Sequence, residues 1–457
     1  MTKTDRRALF YASVIALGGF LFGFDAVVIS GVMPFITPEF GLNEWWVGAI
    51  VSAPSLAAIA AALTVGPVAD YVGRKKMMIT LALLYTVSAV ASALAPGAST
   101  LFVARLIGGF AFGTLMLAPI YIAEIAPARL RGRMVSVNQF NIVIGFSAAY
   151  FANYYILQLS QSGSALATSL GIDKFAWRWM LGLEAVPAFL YFVFMLFVPE
   201  SPRWLVLEGH TERAREIMQR IAPGDQIEEL LSCISDSARE ATHNLLAKIK
   251  DMFRPELRMV LIVGLIAGIA QQSSGINAVY FYAPTIFEKS GVGTDAAFAQ
   301  ATYIGLVNVV FTIAAMLLID RLGRKPLMLA GLAGIAVSMF LAAWGFHTES
   351  PTIVLAGVLG FVASFAFSLG PVMWVLFSEI FPNRIRGVCM AFMGVVNSGV
   401  SWFIQFIFPV ELAHFGPVVT FSVFAATAVV FLVLLARLMP ETRGRSLEEL
   451  EKELARA

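Results

Sequence analysis

Charge is what this 457-residue chain has least of. Asp, Glu, Lys and Arg make up only 14% of it, against about a quarter of a soluble globular domain, so a row of soluble domains is excluded as a use for the length. Cysteine is nearly missing as well. Cys233 and Cys389 are the only two, which excludes a disulfide framework, and both fall on the side read below as cytosolic. The net charge of +2 offers no basic excess, so no nucleic-acid partner is expected. His210, His243, His347 and His414 share no metal-ligand spacing, and no phosphate-cradling Walker loop is present. No catalytic constellation emerges, so neither a metal, a cofactor, ATP drive nor an enzyme is expected. What the chain does have is apolar length, since 58% of its residues are hydrophobic. That composition specifies an all-α polytopic membrane protein.

A bilayer core takes about 20 apolar residues per helix. Twelve stretches qualify: 10–33, 46–69, 77–96, 100–121, 134–157, 177–198, 258–284, 297–319, 326–346, 351–376, 388–410 and 414–438. The first follows Lys3, Arg6 and Arg7 as a signal peptide would, but it is too long and no small-residue cleavage site closes it. Orientation follows from the short loops. One set carries Arg74, Lys75, Lys76, Arg129, Arg131, Arg133, Arg321, Arg324, Lys325, Arg384 and Arg386, whereas the other has Lys174, Arg178 and Lys289. The first set is read as cytosolic, which places both termini inside.

Segment 199–257 holds 19 of the 62 charged residues, with an amphipathic run at Thr211–Ile221. It reads as a short helical cytosolic domain between an N-terminal bundle (1–198) and a C-terminal bundle (258–438), with 439–457 as a cytosolic tail. The two bundles repeat each other. Ala123-Glu-Ile-Ala-Pro-Ala-Arg-Leu-Arg-Gly132 is answered 255 positions later by Ser378-Glu-Ile-Phe-Pro-Asn-Arg-Ile-Arg-Gly387. Asp70-Tyr-Val-Gly-Arg-Lys75 is answered by Asp320-Arg-Leu-Gly-Arg-Lys325, and Pro199-Glu-Ser by Pro440-Glu-Thr. Such repeats favour two pseudo-symmetric six-helix bundles, a site near midplane and alternating access.

Beyond those repeats, the chain carries Gly19-Phe-Leu-Phe-Gly-Phe-Asp25, Arg105-Leu-Ile-Gly-Gly109, Pro199-Glu-Ser-Pro-Arg-Trp204, Gln271-Gln-Ser-Ser-Gly-Ile-Asn277 and Pro440-Glu-Thr-Arg-Gly444. With these motifs it resembles the sugar porter branch of the major facilitator superfamily, from Gly19 to Leu450. Within that branch it is most similar to bacterial proton-coupled xylose/hexose symporters. The resemblance implies the major facilitator fold and import of a monosaccharide or polyol with a proton across the inner membrane.

Three ionisable residues stand out deep inside the spans: Asp25, Arg105 and Glu184. At 1.5 Å per residue they lie at similar depths, roughly 8–13 Å below one face, and can meet. A charge there is costly and needs a partner. Asp25 paired with Arg105 admits two readings: a static brace between helices, or a proton carrier that takes a proton once Arg105 moves away. Arg suits the partner role because it stays charged. The resemblance favours the carrier, since proton-coupled members have Asp at this position and facilitative glucose transporters have Asn. Glu184 matches a carboxylate of the xylose-type symporters; it tunes the pair or is an ordinary interhelical hydrogen bond. At the cytosolic helix ends, Asp70, Arg74, Glu124 and Arg131 and their counterparts Asp320, Arg324, Glu379 and Arg386 read as gate ion pairs that form in one state and break in the other.

A sugar needs groups that both donate and accept, and an aromatic face for its C–H side. Uncharged amides fill the first role. Gln139, Gln271, Gln272, Asn277, Asn308 and Asn397 stand at midplane positions, with Trp374 nearby. A lone amide in a membrane helix is often interhelical glue, but the resemblance places each of these at a sugar-contacting position. Phe22 matches an aromatic wall, with Phe281 and Tyr282 as further candidates. The expected helix interruptions are Ser273-Ser-Gly275, which lets Gln271, Gln272 and Asn277 converge, and Gly370-Pro371 before Trp374. Departures from the family pattern are Phe281 for Tyr, Phe146 for Gln, Ser398 for Trp and Ser368 for Gly, so the sugar preferred is expected to differ somewhat. The alternatives are a facilitative uniporter and a transporter-like sugar receptor. A monomer in the lipid bilayer is expected.

Overall fold

The computed structural model describes residues 3–126, 131–221, 227–228, 231–232, 234, 245–382 and 385–443, with backbone alone for 3–5, 131–133, 245–248, 256 and 320. Among the described residues there is no strand, and twelve helices are long and apolar enough to cross a membrane. They are α1 (Arg6–Glu39), α2 (Glu44–Val72), α3 (Arg74–Ala93), α4 (Ala98–Ile125), α5 (Met134–Gln161) and α6 (Ala176–Phe197). After the linker come α7 (Arg258–Lys289), α8 (Thr294–Ile319), α9 (Arg324–His347), α10 (Pro351–Ile380), α11 (Arg386–His414) and α12 (Gly416–Leu438). Each expected span is a helix. α1 runs past residue 33, through Pro34 and Pro38, because its apolar run continues: Met33 and Ile36 are fully buried.

Several of these spans are broken in mid-membrane, and the breaks position the polar groups. α7 breaks at Ser274-Gly275, where Gly275 takes a left-handed φ of 87°. A side chain there costs about 1–2 kcal/mol in backbone strain, and a Cβ would lie 3.0 Å from the Phe424 ring. Gly275→Ala is therefore expected to lower the melting temperature measured in detergent. Gly399→Ala, on α11 with open space around it, is the control expected to leave it unchanged.

α10 does not break at Gly370-Pro371, as expected from the sequence, but at Ser368 (φ −130°, ψ −92°). The second segment starts at Leu369, which puts Pro371 in its first turn. A helix tolerates proline there because the first-turn N–H groups have no intrahelical acceptor. α6 follows the same rule, breaking at Glu184 so that Pro187 falls in the first turn of Ala185–Phe197.

Packing gathers the described chain into two units. Unit 1 comprises 1–26, 57–146 and 181–244, and unit 2 comprises 27–56, 147–180 and 245–457. The core of unit 1 is built on Tyr85, Tyr121 and Tyr191 with Met77, Met78 and Ile122, all buried. In unit 2 the later halves of α1 and α5 and the first half of α2 pack on α7, α8 and α11. Tyr150 donates to the carbonyl of Tyr280 (2.7 Å) and Ser147 to that of Gly305 (2.9 Å), while the Phe35 and Phe298 rings meet at 6.3 Å. In the linker, Ser201 caps Pro202–Leu207 by accepting from the Trp204 N–H at 3.2 Å. Helix Thr211–Ile221 buries Ala214 and Met218 against Leu205, Ile227 and Leu231.

Candidate functional site

Asp25 on α1 and Arg105 on α4 are each 1% exposed. The Arg105 guanidinium donates through Nη1 to Asp25 Oδ1 and through Nη2 to the Asp25 carbonyl at 3.1 Å. Glu184, 3% exposed at the α6 break, stands within electrostatic reach of both Asp25 and Arg105. Among the described residues, no donor reaches Asp25 Oδ2. Two carboxyl groups and one guanidinium are therefore gathered in a buried interior. With both ionised, the cluster carries one negative charge more than its guanidinium balances, a burial penalty that uptake of a proton removes. Gly108 makes room for this on α4, since a Cβ there would lie 3.2 Å from Asp25 Oδ2 and 2.5 Å from Ser88 Oγ.

The helix-end clusters show the repeat in three dimensions, once in each unit. In unit 1, Arg74 follows Gly73 (φ 102°) and pairs with Glu124 (3.2 Å) and Asp70 (2.8 Å), while its Nη1 donates back to the Ala69 carbonyl. In unit 2, Arg324 follows Gly323 (φ 92°), pairs with Glu379 (2.7 Å) and donates back to the Ile319 carbonyl. Glu200 accepts from the Lys75 N–H at 3.0 Å, and Glu441 from the Lys325 N–H at 3.1 Å. Arg386 donates to the Phe381 carbonyl at 3.2 Å. The side chains of Arg131 and Asp320 lie outside the described residues. Glu200 and Glu441 were missed as members of these clusters, although their motifs stood out as repeats.

The amides of unit 2 form one network around the α7 and α10 breaks. Gln271 Nε2 donates to the carbonyl of Leu369, the first residue after the α10 break, at 3.1 Å. Asn397 Nδ2 donates to Gln271 Oε1 (2.9 Å), Gln272 Nε2 to Asn397 Oδ1 (2.9 Å), and Asn277 Nδ2 to Gln272 Oε1 (2.7 Å). Gln271 and Asn397 are buried, whereas Gln272 and Asn277 are half-buried. The structure thus brings Gln271, Gln272, Asn277 and Asn397 together.

The remaining candidates are placed separately. Asn308 is buried on α8, where Thr312 donates to it at 3.4 Å. Tyr282 is buried at a kink in α7 and donates to the Gln405 carbonyl at 3.0 Å, and neighbouring Phe281 is buried. Trp374 is 39% exposed, with its ring edge-on to Phe377. In unit 1, Phe22 meets the rings of Phe112 (4.6 Å) and Phe146 (6.2 Å), and Gln139 is half-buried. Sequence reasoning passed over Ser401 and Gln405, which continue the amide network along α11. The i, i+4, i+8 stripe of Asn397, Ser401 and Gln405 was the signal available.

A family profile described as Sugar (and other) transporter matches residues 11–454. The chain is 37% identical over 439 residues to the arabinose-proton symporter of Bacillus subtilis (strain 168), an alignment covering 95% of this chain and 92% of that protein. It is 35% identical to the D-xylose-proton symporter of Escherichia coli (strain K12), over 98% of this chain and 96% of that one. Its fold is similar to the partially occluded inward-open conformation of the xylose transporter XylE from E. coli. The TM-score is 0.83 at 31% identity, covering 96% of this chain and 100% of that chain.

Proposed function

The chain belongs to the sugar (and other) transporter family, and from that premise we propose that it imports a monosaccharide or related polyol together with a proton, by alternating access. It is a multi-pass membrane transporter and not an enzyme. We place it in the inner membrane with both termini cytosolic, working as a monomer. The observation that carries the proton reading is the buried cluster of two carboxyl groups and one guanidinium at Asp25, Glu184 and Arg105. Its charge balances only when a proton joins it, and membrane-buried ionisable groups of this kind form proton relays. Asp25 carries the proton, Arg105 competes with it for the carboxylate, and Glu184 tunes the pair.

The sugar is held by Gln271, Gln272, Asn277 and Asn397, whose amides both donate and accept. Asn308, Trp374, Phe281 and Tyr282 complete the set in unit 2, and Phe22 and Gln139 are proposed as sugar contacts of unit 1. Arg74 with Asp70 and Glu124, and Arg324 with Glu379, serve as cytosolic gate pairs, joined by Arg131, Asp320 and Arg386. Two of the relatives are named for arabinose and D-xylose, so these pentoses are the first sugars to try. The test is uptake of labelled D-xylose and L-arabinose into proteoliposomes with an imposed pH gradient, acid outside. Accumulation above the external concentration, abolished by a protonophore, supports symport. Equilibration to the external level, indifferent to the protonophore, identifies a uniporter instead.

A further inference from the structure

The amide network does not stop at the residues assigned to the sugar. Asn277 Nδ2 also donates to Ser401 Oγ at 2.6 Å, and Gln405 Nε2 donates to the same oxygen at 2.7 Å. Gln405, 1% exposed on α11, then meets Ser55 on α2: its Nε2 donates to Ser55 Oγ at 2.8 Å, and Ser55 donates back to its Oε1 at 3.0 Å. All of these residues lie in unit 2. Ser55 is the last polar group on the part of α2 belonging to that unit, one residue before it ends at Leu56. Next to the pair, α2 and α11 are pressed together, since a Cβ on Gly48 would fall 2.1 Å from the Phe406 carbonyl.

We propose that Ser55 and Gln405 form a latch that holds the first half of α2 on α11, and that Ser401 wires this latch to the sugar-binding amides. The hydrogen-bond bookkeeping explains how. Asn277 spends both amide hydrogens inside the network, on Gln272 and Ser401, and Ser401 Oγ uses both lone pairs on Asn277 and Gln405. A hydroxyl-bearing ligand that draws Asn277 or Gln272 toward itself takes a donor from Ser401. Ser401 then reorients, and the Gln405 amide loses the partner that aims it at Ser55. Ligand binding at the amides and release of α2 become one event. Ser55, Ser401 and Gln405 are positioning residues that need no contact with the sugar. The assignment rests on the transport reading only for the identity of the ligand, and its test uses none.

Spin labels at Glu44→Cys, at the start of α2, and Ala413→Cys, at the end of α11, both exposed, are introduced in a Cys233→Ser/Cys389→Ala background and report on the separation of the two helices. Electron-electron resonance on the purified sugar-free protein then reads the ratio of long to short label distances. A net hydrogen bond shifts such an equilibrium roughly two- to tenfold. Ser55→Ala is expected to raise the long-to-short ratio by that amount, and Ser55→Thr to restore it. Asn277→Ala is expected to raise the ratio as well, but to add little in a Ser55→Ala background, because both substitutions break one chain. An unchanged distribution in Ser55→Ala overturns the latch. Effects of Ser55→Ala and Asn277→Ala that simply multiply overturn the wiring. Because no sugar is present, loss of the transport reading would leave these outcomes standing.

Discussion

Asp25→Asn is expected to abolish accumulation of sugar against its gradient while leaving exchange of internal for external sugar intact. The amide has nearly the shape of the carboxyl group and keeps an oxygen for Arg105, so packing at this 1%-exposed position survives. What it cannot do is bind and release a proton at any working pH. The variant behaves as a carrier held in its protonated form: it still moves loaded with sugar, but the pH gradient no longer drives it. Counterflow in proteoliposomes measures the retained exchange, and uptake with acid outside measures the loss. A merely structural role for Asp25 would depress both together.

Replacing Arg105 by Met is the second large effect, and it falls on folding before it falls on transport. Removing one partner of a buried ion pair leaves an uncompensated charge and costs about 3–5 kcal/mol. Here two carboxyl groups are left, Asp25 and Glu184, with no cation between them. The expected result is a much lower yield of folded protein and a lower melting temperature in detergent. The double variant Asp25→Asn/Arg105→Met is expected to recover most of that loss, because the remaining Glu184 can stay neutral. Recovery by the second substitution separates unpaired charge from lost packing volume, which Asp25→Asn would not repair.

The positions of the spans were legible because hydropathy is a property of the chain alone, and the bilayer thickness it must match is set by the lipid and nearly constant. The meeting of Asp25, Arg105 and Glu184 was legible for a related reason: rise per residue converts position into depth. The α7 break was legible through Gly275, whose φ of 87° few other residues accept. The α10 break was misplaced by two residues, since proline marks the turn after a break and the non-helical residue itself is Ser368. What could not be read was the wiring. Serine is common in membrane helices, and nothing in the identity of Ser55 points to an amide 350 positions away. The division of α1, α2, α5 and α6 between two packing units was equally hidden, because each reads as one continuous apolar run.

The most direct measurement is the external pH of a lightly buffered suspension of proteoliposomes when D-xylose or L-arabinose is added. If a proton joins the Asp25–Arg105–Glu184 cluster for each cycle of inward transport, the medium turns alkaline as sugar enters, and Asp25→Asn abolishes the signal while its exchange persists. Sugar entry with no change in external pH in the unsubstituted protein would contradict the account.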